Sequence, residues 1–314
     1  MTAALTGVEG LAVTRVETPA DLGRHIDGLD ALLTSNDFYL ASVAELVGRA
    51  PRLRYVHFVS SGFDNLREHG APRRLAISRG GPSHAGTVAE HAVTLLLALL
   101  RRVTEYERNR IAAVWDREGL RKRMSSLEGA NVLVVGFGAI GQRLAQRLRP
   151  FEAHVTGMLR RDPPPEVAAL ADAIVHPDTL HAALAGADAV VLSLPLSAET
   201  EKFIGARELA AMKPGAYLVN VARGGVVDEA ALIDALSSRR ISGAGLDVFA
   251  DEPLAPESPL WRLDNVILSP HVAGAGSSAG TGRVIALARE NLERFRSGRP
   301  LLNPIPGYGE GASS

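Results

Sequence analysis

A chain of 314 residues is long for a single hydrophobic core and suits two domains. Its 34 Lys and Arg against 35 Asp and Glu leave no basic excess to attract nucleic acid or an anionic membrane, and the lack of cysteine excludes disulfides, thiolate metal sites and a cysteine nucleophile. With no charged leader before an apolar segment, and a longest apolar run of only residues 92–100, a soluble cytoplasmic protein is expected.

The first 85 residues read as a small α/β region. Strand candidates lie at 11–16, 30–34, 54–59 and 75–77, with helical patterns at 20–26 and 40–49. Such alternation implies a parallel sheet covered on both faces. Ser60-Ser61-Gly62-Phe63-Asp64-Asn65 follows the third strand, where loop amides are free to bind anions, although Ser, Gly and Asn in a row also make a plain turn. Gly80-Gly81-Pro82-Ser83 breaks the pattern. Thr87 and Glu90 then have the spacing of a capping box, opening a helix to about Val103 that is apolar nearly all round and therefore buried. On this reading Glu90 is a cap and His91 a hydrogen-bonded core histidine. Residues 104–128 are charged, with Trp115 near the middle, and read as helix and loop feeding the next strand.

The non-alternating run Val132-Leu133-Val134-Val135 reads as a buried parallel strand. It enters Gly136-Phe137-Gly138-Ala139-Ile140-Gly141, after which Leu144, Ala145 and Leu148 recur at helical spacing. Strand, glycine turn and helix start form a dinucleotide-binding βα unit. Gly136 permits the turn, Gly138 lets a pyrophosphate approach the backbone, and Gly141 lets helix and strand pack closely. The next strand, 154–158, ends in Leu159-Arg160-Arg161 where an acid for the adenosine ribose is common. Two guanidiniums without a carboxylate suit a 2′-phosphate, so NADP(H) is favoured, with NAD(H) as the alternative.

Further β-rich runs at 187–194, 216–221, 243–249 and 266–269 alternate with helical patterns at 178–184, 206–212 and 229–239, continuing a doubly wound sheet. A last amphipathic helix is expected from Arg283 to about Arg296, then a frayed tail from Gly307. Three strand ends carry polar groups that a fold alone does not require: Arg223 after Val221-Ala222, Asp247 with Glu252 beyond it, and His271 after Ser269-Pro270. An arginine, a carboxylate and a histidine facing a nicotinamide suffice to reduce a keto acid.

In these residues and their spacing the chain resembles the D-isomer-specific 2-hydroxyacid dehydrogenase family. The resemblance rests on SSGFDN at 60–65, TVAEHAVTLLLALLRR at 87–102, GFGAIG at 136–141 and LPLSAET at 194–200, and on MKPGAYLVNVARGGVVDEAAL at 212–232, GLDVFADEPL at 245–254 and SPHVAG at 269–274. It implies an α/β architecture of two domains: a Rossmann-type dinucleotide-binding domain over 86–281 and a smaller flavodoxin-like substrate domain over 1–85, completed by 282–314. The roles it implies are Arg223 binding and polarising the keto acid, His271 as acid and base, and Glu252 raising the pKa of that histidine. Ala139 and Ile140 would lie on the pyrophosphate, with Leu194 and Pro195 beside the adenosine half. Val221, Ala222, Asp247 and Ala273 would lie along the nicotinamide half, and Ser61 and Gly62 would offer amides to the substrate carboxylate.

The family is usually dimeric through its nucleotide domains, which fits the helix from Thr87 and the arm holding Trp115. No metal is implied. Leu159 in place of the acid is similar to the NADP(H)-preferring glyoxylate and hydroxypyruvate reductases. The stretch before residue 30 is short for the family, so the first strand–helix unit is expected to be trimmed or absent. A formate dehydrogenase would pair its histidine with glutamine, and a phosphoglycerate dehydrogenase often has a further domain. The rival from another class is a nucleotide-gated corepressor or scaffold, against which the intact Arg223, Glu252 and His271 stand.

Overall fold

The structure, a computed structural model, describes residue 5 and residues 10–309. It divides into two compact units, Met1–His84 with Ser277–Ser314, and Ala85–Gly276.

In the smaller unit, α1 (Pro19–His25) starts on a reciprocal cap. Thr18 accepts the Asp21 amide, Asp21 accepts the Thr18 amide, and Pro19 fills the first turn. There follow β1 (Ala31–Thr34), α2 (Ala41–Arg49), β2 (Tyr55–Phe58), α3 (Asp64–His69) and β3 (Ala76–Arg79). The strands are parallel, in the order β1-β2-β3, with Thr34, Phe58 and Arg79 in register at their carboxyl ends. Asn36, the 60–65 segment and Gly80 therefore leave from one edge of the sheet. Leu22, Val43, Val47, Val56, Phe58 and Ile77 fill one core, while Leu292 of the C-terminal helix (Ser278–Arg296) meets Tyr55 in another.

Three expectations are corrected here. Residues 11–16 form no strand; Leu11 and Val13 pack irregularly against the Tyr55–Leu292 cluster, leaving β1 at the sheet edge. α3 escaped the sequence reading because six residues with one buried apolar position, Leu66, show no periodicity. The C-terminal helix starts at Ser278, five residues before the expected Arg283, because Ser277 caps it by accepting the Gly280 amide. Of the expected frayed tail, residues 310–314 lie outside the described residues, and Gly309 donates its amide to the Arg73 carbonyl at 2.9 Å.

The larger unit opens with α4 (Ala85–Leu100), α5 (Val103–Ile111) and α6 (Arg117–Arg123). α4 begins two residues before Thr87, so the Thr87–Glu90 spacing falls inside the helix; no capping box forms and Glu90 is exposed. Then come β4 (Asn131–Val135), α7 (Ala139–Leu148), β5 (His154–Met158), α8 (Pro165–Ala168), β6 (Ala173–Val175), α9 (Leu180–Gly186) and β7 (Ala189–Leu192). α10 (Ala206–Ala211), β8 (Tyr217–Asn220), α11 (Glu229–Ser237), β9 (Gly243–Leu246) and β10 (Val266–Leu268) complete it.

All seven strands are parallel, in the order β10-β9-β8-β7-β4-β5-β6, so the winding reverses between β4 and β7. This is the Rossmann-type doubly wound sheet that the sequence implied. Leu133, Val135, Val190 and Leu218 face one core, and Val132, Val134, Val191 and Val219 face the other, beside α4 and α7. Val135, Met158, Leu192, Asn220, Leu246 and Leu268 are in register. The next residue of each strand, from Gly136 to Ser269, therefore lines one edge, where ligands of such sheets bind.

Candidate active site

At the switch point, Gly136 turns the chain with φ 97°, and a Cβ there would stand 2.7 Å from the Leu194 amide nitrogen. Only glycine fits both demands. Ser193, unassigned by the sequence reading, ties the two strand ends by donating its hydroxyl to the Gly136 carbonyl at 2.7 Å. Gly138 caps α7, and a Cβ on it would meet nothing within 4 Å. The first-turn amides of α7, including those of Ala139 and Ile140, have no partner within the helix and open onto this space, a cradle that suits a diphosphate. Gly141 lies against the Gly136 carbonyl and Val134, in the role of close packing.

Two turns along the same edge, Asn220 fixes the arginine. Its amide group donates to the Arg223 carbonyl at 3.0 Å and accepts from the Ala222 amide at 3.0 Å, bridging the turn. The Arg223 Nη1 donates to the Ala222 carbonyl at 2.7 Å. Past β9, Glu252 accepts the Phe249 amide at 3.0 Å, and its other oxygen lies 2.7 Å from His271 Nδ1. That pairing takes up Nδ1 and leaves Nε2 for a ligand. The Glu252 hydrogen bond and charge hold the His271 pKa above the ordinary imidazole value, against burial and the nearby Arg223 guanidinium. Burial pushes the Glu252 carboxyl up, but the His271 contact, the Phe249 amide and the Arg223 charge outweigh it, and its pKa ends lowered.

Asp247 does more than line the edge. Its carboxylate, 1% exposed, accepts Ser269 Oγ at 2.6 Å and the amides of Val272 and Ala273 at 2.9 Å each. The His271 amide donates to the Asp247 carbonyl at 2.8 Å. His91 is half-buried rather than a core residue, with Nε2 2.9 Å from Ser269 Oγ and 3.4 Å from Asp247. Val221, Ala222 and Ala273 are buried along this edge, whereas Leu194 is half-buried and Pro195 exposed.

At the far end of β5, Arg160 and Arg161 are exposed. Arg160 pairs with Glu199 at 3.5 Å, a carboxylate that the local sequence did not reveal, and Asp162 is drawn to His176 at 3.1 Å. In the smaller unit, Ser60 to Asn65 is not a loose turn. Asn65 donates its backbone amide to the Asn36 side-chain oxygen and its side-chain amide to the Asn36 carbonyl, both at 3.0 Å, Ser60 accepts the Asn36 amide at 3.1 Å, and Arg79 donates to the Ser61 carbonyl at 3.0 Å. Ser61 donates its hydroxyl to the Gly81 carbonyl. Among the described residues no cluster of His, Cys, Asp and Glu could hold a metal, and no helix is long and apolar enough to cross a membrane.

The profile of the D-isomer specific 2-hydroxyacid dehydrogenase, NAD binding domain, matches residues 93–273. A glyoxylate reductase of Thermococcus gammatolerans is 40% identical over 260 residues, covering 81% of this chain and 76% of that protein. A D-3-phosphoglycerate dehydrogenase of Mycobacterium leprae is 38% identical over 237 residues, covering 75% of this chain but 44% of that longer protein. The D-isomer specific 2-hydroxyacid dehydrogenase of Xanthobacter autotrophicus Py2, solved with NADPH and MES, is 32% identical with a TM-score of 0.72, covering 83% of this chain and 80% of that one. The chain belongs to the D-isomer-specific 2-hydroxyacid dehydrogenase family, nicotinamide-dependent enzymes that act on the CH–OH group of their donors.

Proposed function

We propose that the protein is an NADP(H)-preferring reductase of a small 2-keto acid, of the glyoxylate or hydroxypyruvate kind. The observation that carries this is the His271–Glu252 pair of 2.7 Å within the field of Arg223, on the edge that the glycine turn also lines. The nicotinamide, when bound, supplies the hydride. Arg223 holds the substrate carboxylate and polarises the keto group. His271, whose protonated form Glu252 favours, gives its Nε2 proton to the carbonyl oxygen, and in oxidation takes it back.

For the cofactor we assign the α7 amides of Ala139 and Ile140 to the pyrophosphate, Leu194 and Pro195 to the adenosine half, and Val221, Ala222, Asp247 and Ala273 to the nicotinamide half. Arg160 and Arg161 are assigned to the 2′-phosphate, which would displace Glu199 from Arg160. The amides of Ser61 and Gly62 are proposed as donors to the substrate carboxylate. A homodimer is proposed through the α5–α6 arm, where Ile111, Val114 and Trp115 are 73%, 54% and 89% exposed, more apolar surface than a free segment usually shows water.

Initial rates of nicotinamide absorbance loss, with NADPH and then NADH against glyoxylate, hydroxypyruvate, pyruvate and phenylpyruvate, test the reading. Faster turnover with NADPH supports it; turnover only with NADH removes the role of the two arginines; no turnover with any of the four overturns it. Arg223→Ala should lower kcat/KM by about 3 kcal/mol or more of transition-state stabilisation, the cost of removing a charged partner, with NADPH affinity nearly unchanged. An Arg223→Ala variant as active as the parent would remove the assigned role.

A further inference from the structure

We infer that His91 and Ser269 are positioning residues, a two-link relay from α4 through the buried Asp247 carboxylate that sets the backbone of His271. His271 has φ 52°, a left-handed conformation that is uncommon for a non-glycine residue and that its surroundings here hold in place. Asp247 imposes it from both sides, through Ser269 before the histidine and the Val272 and Ala273 amides after it. The Ser269 hydroxyl has one proton, and the 2.6 Å contact to Asp247 uses it. Ser269 Oγ can therefore only accept from His91, so the 2.9 Å contact requires a proton on His91 Nε2. His91 thus completes the hydrogen bonding of Ser269 and aims its hydroxyl at Asp247.

The charged groups that face His271 are Glu252, Arg223 and Asp247. Those that face the relay are His91 on α4, Asp247 after β9 and, across the turn, His271 itself. Loosening the relay lets the His271 backbone relax and lengthens the Nδ1 contact to Glu252. This rests on the reading of His271 as the acid of the reaction, so the deciding measurement does not depend on turnover.

His91→Leu, His91→Gln and Ser269→Ala would be compared with the parent by NMR titration of the His271 ring and by kcat and KM over pH. Leucine removes the donor, while glutamine keeps an N–H near the Nε2 position. In His91→Leu and Ser269→Ala the His271 titration should move to lower pH and kcat should fall roughly 10- to 100-fold, the cost of a misplaced catalytic group, with KM for cofactor unchanged. His91→Gln should recover most of both. A His271 titration at the parent's position in a folded His91→Leu, or a His91→Gln no better than His91→Leu, overturns the inference. Should His91→Leu fail to fold, Ser269→Ala against the parent decides by the same titration. A titration that moves in a protein without turnover upholds the relay and removes the role of His271 as acid.

Discussion

His271 is held twice, its backbone by Asp247 and its ring by Glu252, and the ring contact governs its response to pH. Because Glu252 raises the His271 pKa, the protonated form survives to higher pH than a free imidazole would allow. Glu252→Gln removes the charge, so the upper pH limit of reduction should fall; an unchanged or higher limit in the pH–rate profile would count against the pairing. The same contact stabilises the fold in a bounded window. On the histidine side, with its folded pKa raised, the contribution is lost as pH rises through that value. On the Glu252 side, with its folded pKa lowered, it is lost as pH falls through that value. At the ribose end, Arg160→Ser should weaken NADPH about tenfold, the worth of one charge-assisted hydrogen bond, and leave NADH unchanged. Equal weakening of both in a fluorescence titration would place Arg160 elsewhere. Arg223, Asp247 and His271 stood out as polar groups at the ends of buried strands, whereas the pairing of Glu252 with His271 was implied by the family resemblance. Asn220, Ser193 and Asn36 were not legible, because each acts on a partner chosen by the fold and not by spacing along the chain.

At the scale of elements, β4 announced itself by four buried apolar residues in a row, and β5 by its place after the glycine turn and helix. β6, three residues long, and α3 carry too few apolar positions to show a period. The β4–α7 turn separates two kinds of glycine. Gly136→Ala should cost about 1–3 kcal/mol in urea unfolding, since it combines φ 97° with a clash on Leu194. Gly138→Ala should leave stability nearly unchanged but weaken cofactor binding, because its Cβ would enter the space assigned to the pyrophosphate. Cofactor binding undiminished in Gly138→Ala would move the pyrophosphate off this turn.

For the molecule as a whole, the smaller unit carries a buried group on which acid acts. The smaller unit buries His57 completely on its central strand, where Nδ1 meets Ser78 at 2.8 Å and Nε2 has no partner. Burial lowers its pKa to about 4, so the folded state takes up a proton only well below the pH at which the unfolded chain does. Stability should therefore decline as pH falls from neutrality, by about 2 kcal/mol between pH 7 and pH 5 from this residue. His57→Gln should flatten that decline in denaturant titrations at the two pH values; an equal slope would shift the cause to other groups. The same Ser78 also accepts from Asn291, fully buried on the C-terminal helix and 213 residues away in sequence. The larger unit is a continuous segment, finished once Gly276 has been made, whereas the smaller has its sheet at one end of the chain and the helix that closes it at the other. During synthesis at roughly 5–20 residues per second, Tyr55, His57 and Ser78 must then wait on the order of tens of seconds for Asn291 and Leu292. Of the two units, the one whose sheet is translated first is the last that can fold, so its half-formed sheet is the surface most in need of a chaperone.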